Sequence, residues 1–401
     1  MKIAVLGGLG LQGKAVLYDL LHNRNANAFL DSDVEEVLCL DARAISADDP
    51  EPYLHHPKIT SKACDAGDIT SLAQAVKGAD AVIDLLPLNL MPNAFEAALA
   101  SRVSLVTTNY VYSMTGLNEK AKDAGITIMP ECGLDPGIDL VICGHFAGQF
   151  DKLTTLDSFC GGIPDQSACD NPLNYKISWN FDMLLNSQQR PSYFLKDGEK
   201  LTISAEHQHD REFMKNVDYP GMGVLEAVPN GNALFYVEML GVNETVRNSG
   251  RYSLRWPGWC DFWRPLNKLG FLSAEHLDFP EGKISPRRFL SKLLGPQLQY
   301  GENEIDLALM LNRFSGIKNG AAKTIDVFLT IKRDQNTGFT AMSQGVGYTA
   351  SIAAQMIASK TIDKTGLLTP VKDIPYDLFM NALLKRGIHP EILEMENPIP
   401  E

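Results

Sequence analysis

Gly8-Leu9-Gly10-Leu11-Gln12-Gly13 sets three glycines at the spacing Gly-x-Gly-x-x-Gly, directly after the apolar run 2–6 and directly before a segment of helical periodicity. A strand, a glycine turn and a helix start in that order form an anion site. Gly8 permits the tight turn. Gly10 lets the backbone approach a pyrophosphate with no Cβ in the way, and Gly13 lets helix and strand pack closely. The first turn, with Leu11 and Gln12, offers unpaired N–H groups and a partial positive charge to the phosphates. Asp41 ends the next strand, where a carboxylate accepts from the adenosine ribose hydroxyls and repels a 2′-phosphate. It lies far beyond Gly13 because Asn23 to Asp33 reads as a loop insertion. Asp41 therefore favours NAD, and Arg43, two residues on, is the cation that would favour NADP instead. Asp65, after the third strand, either reaches the adenine edge or is a loop-tip acid.

A second set of reactive side chains follows Pro130. Glu131-Cys132-Gly133-Leu134-Asp135-Pro136-Gly137-Ile138-Asp139 opens a helix just past the last strand of the first domain, where open α/β sheets bind their ligands. Asp135 is either an acid/base there or the N-cap of that helix, with Pro136 at N1; local chemistry favours the cap. Cys132 reads as a buried thiol. Asp170-Asn171-Pro172-Leu173-Asn174-Tyr175-Lys176-Ile177-Ser178-Trp179 gathers amide, aromatic and amine groups in a loop that either lines a pocket or faces solvent. Arg251 and Arg255 stand beside aromatic residues, and either suits a bidentate carboxylate clamp or a surface ion pair. His207 and His209 have a metal-like spacing without a third ligand, so they read as solvated histidines, and no metal is expected.

The elements that must position these groups follow from periodicity. Strands are expected over 2–6, 34–40, 58–63, 81–86, 103–107 and 126–129, alternating with helices over 14–22, 69–76, 93–100 and 117–124. That alternation predicts right-handed crossovers and a parallel sheet covered on both faces. A long helix is expected from Gly137 to Phe150. Beyond Leu153 the chain becomes richer in strands, with Glu304 to Phe314 and Thr324 to Lys332 paired as a hairpin. Gly345 and Gly347 then precede a deeply packed helix, Thr349 to Ser359. The expected organisation is a Rossmann domain over 1–130, an inserted α+β substrate and dimerisation domain over 131–344, and a C-terminal segment, 345–401, returning to the first domain.

The 401 residues are too many for one ordinary core. The formal net charge of -13 disfavours nucleic acid and anionic lipid as partners, and no apolar run is long enough to span a bilayer. The seven cysteines are scattered and form no Cys-x-x-Cys pair. With no secretory signal after Lys2, they fit free thiols in a cytoplasmic protein.

Taken together, these segments resemble the saccharopine dehydrogenase family, in particular its saccharopine reductase (glutamate-forming) branch. The glycine fingerprint, Gly133-Leu134-Asp135-Pro136-Gly137, Cys160-Gly161-Gly162-Ile163-Pro164, Asn171 to Trp179, Tyr193 to Gly198, Leu254-Arg255-Trp256-Pro257-Gly258 and the Gly347 to Gln355 helix carry the likeness in order along the chain. The resemblance implies an NAD(P)-dependent oxidation of a secondary amine of an amino acid, or the reverse imine reduction, often in a homodimer. It implies catalytic roles for Asp135 or Lys176 and a substrate pocket including Asn171, Tyr175, Tyr110 and Arg255. It also places Leu86, Pro87 and Asn109 beside the nicotinamide. NAD is the expected cofactor, with NADP as the alternative, since that branch commonly uses NADP. Competing readings are a dinucleotide-binding redox sensor without turnover, or an enzyme of the lysine 6-dehydrogenase or carboxynorspermidine dehydrogenase type. This chain departs from the branch at Gly231, where an arginine is expected, and at Leu88, where an aromatic residue is expected. A missing arginine leaves one carboxylate of saccharopine without a charged partner, which predicts a related amine as the better substrate.

Overall fold

The computed structural model describes residues 1–22, 33–111, 115–280 and 282–396. The chain divides into two compact units: 1–145 with 343–389, and 146–342 with the residues from 390 on.

In the first unit the order is β1 (Lys2–Leu6), α1 (Leu11–His22), β2 (Glu36–Asp41), β3 (Ile59–Ala63), α2 (Ile69–Val76), β4 (Ala81–Asp84), α3 (Met91–Ser101), β5 (Ser104–Thr107), α4 (Leu117–Ala124), β6 (Thr127–Met129) and α5 (Ile138–Ala147). A seventh, two-residue strand, Gly366–Leu367, completes a parallel sheet in the order Gly366–Leu367, β6, β5, β4, β1, β2, β3. The strand order reverses between β1 and β4, so the crevice beyond their carboxyl ends is the ligand position of this architecture. Strands β1, β2 and β4 are buried along nearly their whole length, as strands covered on both faces must be. The insertion expected at 23–33 falls, except for Asp33, outside the described residues.

The second unit is a nine-stranded mixed sheet. Its longest strand, Lys152–Pro164, pairs parallel with Asn248–Arg255 and antiparallel with Asp306–Lys318. Asp306–Lys318 continues into Ala321–Lys332 through a tight turn at Asn319 and Gly320, both of positive φ. Strand Pro390–Glu396 then closes that edge. The α+β reading holds, but two boundaries move. Helix α5 belongs with the first unit, and the C-terminal strand pairs in the second sheet rather than returning with the segment before it.

The late helix runs over Ala341–Ala358, so Gly345 and Gly347 lie inside it rather than before it. A Cβ on Gly347 would sit 2.9 Å from the Ala15 Cβ and 3.0 Å from the Gln12 carbonyl. The glycine is there because this helix lies close against α1. The contact is reinforced by Asp19, wholly buried in α1, which accepts from Ser351 Oγ at 2.6 Å and from the Arg386 guanidinium at 2.6 and 2.9 Å.

Candidate active site

The fingerprint folds as a strand-turn-helix, with one shift of roles. The left-handed residue is Gly7 (φ +76°), not Gly8. Gly8 is buried against Cys39, whose Sγ would lie 2.7 Å from an added Cβ. Gly13 is the packing glycine: a Cβ there would fall 2.2 Å from the Gly7 carbonyl oxygen. Gly10 is exposed, and a Cβ on it would meet only the Gly7 carbonyl, at 3.3 Å. The face on which a pyrophosphate would lie is thus kept clear by Gly10. Leu11 and Gln12 form the first turn of α1 beside it.

At the end of β2, Asp41 is half-buried. Its Oδ2 accepts from Leu9 N at 2.9 Å and its Oδ1 from Ala42 N at 2.7 Å, which ties the strand end to the glycine loop. Arg43 points elsewhere. Both of its Nη atoms bond the two oxygens of Asp49, at 2.8 and 2.6 Å, and that guanidinium holds the Asp49 carboxyl well below its ordinary range. Asp65 is exposed and caps its own turn by accepting from Gly67 N at 2.8 Å.

Past β4 and β5, Leu86, Pro87 and Asn109 lie on the same carboxyl edge. Asn109 Nδ2 donates to the Leu86 carbonyl and to Thr107 Oγ1, both at 3.4 Å, and the Asn109 carbonyl accepts from Glu131 N at 3.1 Å. Tyr110 follows, half-buried.

Two acids on this edge were not singled out from sequence. Asp84, ending β4, is fully buried, and burial raises its pKa to about 6 against bonds from Leu86 N and Thr107. Glu131 is 3 % exposed with φ +63°, and burial raises its pKa to about 7 against a bond from the Val111 backbone. An aspartate inside the apolar run Val82 to Leu86 was the readable signal for the first. Nothing local marks the second.

The loop after β6 closes on itself. Gly133 N donates to the Pro136 carbonyl at 2.8 Å and Ile138 N to the Gly133 carbonyl at 3.1 Å. A Cβ on Gly137 would fall 1.9 Å from that Gly133 oxygen, so only glycine permits the crossing. Asp135 stands at the tip, half-buried and joined to Pro136 by a cis peptide. It is not the helix N-cap: α5 begins at Ile138, and the carboxylate that accepts from Gly137 N, at 2.7 Å, belongs to Asp139. Cys132 is fully buried, as expected.

In the second unit the loop Asp170 to Trp179 is largely self-satisfied. Asn171 spends its amide on the loop, accepting from Leu173 N at 3.1 Å and donating to the Tyr175 carbonyl at 3.0 Å. Lys176 is buried and clamped, with Nζ 2.7 Å from both Glu304 oxygens and 2.9 Å from Asp170 Oδ2. Burial opposes its charge, but the two carboxylates outweigh it and the pKa is raised. It is a held ammonium, unsuited to taking or giving a proton near neutral pH. Tyr175 is wholly buried under Arg255, whose guanidinium lies 5.7 Å from the Tyr175 ring centre and 5.0 Å from that of Trp259. Arg255 is buried, its Nη1 donates to the Leu254 carbonyl at 2.6 Å, and no carboxylate pairs with it among the described residues. Burial pulls its pKa down.

Gly231 has φ +80°, and an added Cβ would lie 2.7 Å from Arg251 Nη1, so the guanidinium of the neighbouring strand packs against this glycine. The reading of His209 is corrected. It is fully buried, and burial pushes its pKa down to about 4; only His207 is exposed.

Two family models cover the chain in succession: the saccharopine dehydrogenase NADP binding domain over residues 3–129, and the saccharopine dehydrogenase C-terminal domain over residues 133–388. The chain belongs to the saccharopine dehydrogenase family. A nicotinamide dinucleotide is accordingly the cofactor of its first unit, and the clear face at Gly10 fits one. The chain is 28 % identical over 394 residues to the saccharopine dehydrogenase [NADP(+), L-glutamate-forming] of Pyricularia oryzae, covering 80 % of this chain and 86 % of that one. It is 33 % identical over 216 residues to the alpha-aminoadipic semialdehyde synthase of Arabidopsis thaliana, 53 % of this chain but 20 % of that one. Against the mouse mitochondrial synthase it is 28 % identical over 387 residues, 79 % of this chain and 41 % of that one. The chain therefore spans well under half the length of those synthases. The fold matches the apo saccharopine dehydrogenase (L-Glu forming) of Saccharomyces cerevisiae, with TM-score 0.81, 24 % identity and coverage of 98 % and 99 % of the two chains.

Proposed function

We propose that this protein is an NAD-dependent oxidoreductase acting on the C–N bond of a secondary amine of saccharopine type. One observation carries the reading. The fingerprint after β1, Leu86-Pro87 after β4, Asn109 after β5 and the Asp135 loop after β6 all lie at the carboxyl edge of one parallel sheet, the first two flanking its topological switch point. A dinucleotide bound there would supply the hydride acceptor. Gly10 and the start of α1 would hold its pyrophosphate, Asp41 its adenosine ribose, and Asn109 with the Leu86 carbonyl its nicotinamide edge. The carbon bearing nitrogen gives up hydride as the nitrogen lone pair forms the C=N bond. Water then adds to the imine, which breaks to a carbonyl compound and a primary amine. Asp135 takes the nitrogen's proton and passes one back during hydrolysis. Arg255 binds a substrate carboxylate. Lys176 stays charged and fixes the loop that carries Tyr175.

The choice of NAD rests on Asp41 and on the engagement of Arg43 by Asp49, although the fungal relatives are named for NADP(+). The protein is further proposed to be a homodimer of a reducing cytoplasm, consistent with its free cysteines. The test is steady-state turnover of saccharopine and related secondary amines with each dinucleotide, with Asp135→Asn as the variant. The reading requires kcat to fall at least about a hundredfold, within the span of general acid/base catalysis, while dinucleotide affinity holds.

A further inference from the structure

Asp84 and Thr107, the last residues of β4 and β5, are register partners in the parallel sheet, and both are fully buried. They root a ring of hydrogen bonds at the carboxyl edge. Asp84 Oδ1 accepts from Leu86 N at 3.1 Å, and the Thr107 hydroxyl donates to the same carboxyl group. With its one proton spent there, Thr107 Oγ1 accepts from Asn109 N at 3.3 Å and from Asn109 Nδ2 at 3.4 Å. Asn109 Nδ2 also donates to the Leu86 carbonyl, at 3.4 Å, which closes the ring. The backbone after β6 is tied to the same two residues of β5 and its loop. Cys132 N donates to the Thr107 carbonyl at 3.0 Å, and Glu131 N to the Asn109 carbonyl at 3.1 Å.

Asp84 is a costly residue at the root of this ring. Its Oδ2 has no hydrogen-bond partner among the described residues. Burial lifts its pKa to about 6, and only the bonds from Leu86 and Thr107 oppose that rise. A buried acid without a cation or a full set of bonds is destabilising, and perturbed acids of this kind concentrate at functional sites. What the carboxyl group does is plain from its bonds. An apolar residue in its place would leave Leu86 N and the Thr107 hydroxyl unmet, and would free the Leu86-Pro87 turn from Asn109 on the neighbouring strand end.

We infer that Asp84, acting through the Thr107 hydroxyl, is the positioning residue of the nicotinamide edge: it fixes the Leu86-Pro87 turn and the Asn109 amide against each other so that both meet the ring of the dinucleotide in one geometry. This role rests on the reading that the nicotinamide lies at this edge, and it extends that reading to two residues that need not touch the dinucleotide. It acts on one half of the ligand only. The pyrophosphate and adenosine positions at Gly10 and Asp41 are built on β1, α1 and β2, and Asp41 spends its oxygens on Leu9 N and Ala42 N, outside the ring.

The test compares NADH with ADP-ribose, which carries the same adenosine and pyrophosphate but no nicotinamide. Calorimetric titration of the full chain gives both affinities without turnover. Wild type should bind NADH more tightly than ADP-ribose. Asp84→Ala and Thr107→Val should each weaken NADH by about three- to tenfold, the span of one ordinary hydrogen bond, and leave ADP-ribose unchanged. Asp84→Asn keeps an acceptor for Leu86 N and Thr107→Ser keeps the bridging hydroxyl, so both should bind NADH within about twofold of wild type. If Asp84→Ala does not fold, Thr107→Val decides, because it is isosteric and leaves the core filled. Loss of both ligands together in Thr107→Val would reduce the ring to structural support and overturn the inference. An NADH affinity unmoved by that substitution would overturn it too, as would equal binding of the two ligands by wild type. Nicotinamide-selective losses in a protein that oxidises no amine would leave the positioning role standing and refute the enzymatic reading alone.

Discussion

Replacing Asp41 by asparagine tests how the first unit chooses its dinucleotide. The substitution keeps a carbonyl oxygen for Leu9 N, now 2.9 Å from Asp41 Oδ2, so the glycine loop keeps its tie, while the charge and the acceptor for Ala42 N are lost. If Asp41 accepts from the ribose hydroxyls, a 2′-phosphate on that ribose would come close to the carboxylate, and about 4 Å is taken as the separation. Two unit charges at 4 Å repel by about 4 kcal/mol at an effective dielectric of 20 and by about 1 kcal/mol in water. Asp41 is half-buried at a strand end, so about 2 kcal/mol is the working figure, or roughly thirtyfold in affinity. Arg43 does not cancel it, because both Nη atoms are already committed to Asp49. The wild-type chain should therefore bind NADH roughly thirtyfold more tightly than NADPH. Asp41→Asn should bring that ratio within about threefold of unity, chiefly by improving NADPH. Nicotinamide fluorescence on titration with each reduced dinucleotide gives both constants at fixed ionic strength. Wild-type preference for NADPH, or a ratio unmoved by the substitution, would refute the charge argument and return the decision to Arg43.

Other expectations are independent of cofactor choice. Gly10→Val should abolish dinucleotide binding with little change in melting temperature, whereas Gly13→Ala should cost about 1–3 kcal/mol of stability, because its Cβ meets the Gly7 carbonyl; calorimetry with and without NADH separates the two, and a stable, non-binding Gly13→Ala would reverse the assignment. Glu131 has its folded pKa raised to about 7 by burial, from an ordinary value near 4. Its contribution is therefore intact below about pH 4 and is lost as pH rises through about 7, by roughly 3 kcal/mol. Glu131→Gln should flatten that decline in urea melts between pH 5 and 8, and an unchanged slope would show that the carboxyl is ionised in the fold. Glu304→Gln should lower stability by about 1–3 kcal/mol, because it takes the principal partner from a buried ammonium. If it instead shifts a limb of the kcat pH profile while stability holds, Lys176 is the acid/base after all.

The first unit was legible in the sequence because each of its elements is specified locally. Helices α2 and α4 run over the expected residues, Ile69–Val76 and Leu117–Ala124, each with an apolar face and a clear stop. Boundaries failed where tertiary packing decides. The late helix starts eight residues before Thr349, and Gly347 inside it is a contact surface, not a breaker. In the candidate site, the spacing of the fingerprint was readable, but which glycine turns and which one packs depends on Cys39 and Gly7, which lie outside the pattern or at its edge. Polar residues misled most. Lys176, Asn171 and His209 have the same letters whether they face substrate, close a loop or line a buried cavity. Their roles follow from Glu304, the Tyr175 carbonyl and Gln188, and two of those three lie outside the motif itself.

The central claim is that this fold oxidises a secondary amine with a nicotinamide dinucleotide, and one measurement bears on it most directly. Purified protein is mixed with NAD and, in separate runs, with saccharopine, other secondary-amine amino acids and simple primary amino acids, while reduced-nicotinamide absorbance and the released carbonyl compound are followed together. The account predicts that at least one secondary amine gives both signals in equal amounts, and that Asp135→Asn loses both. Tight dinucleotide binding with neither signal from any amine, using NAD or NADP, would contradict it and leave a binding protein in place of an enzyme.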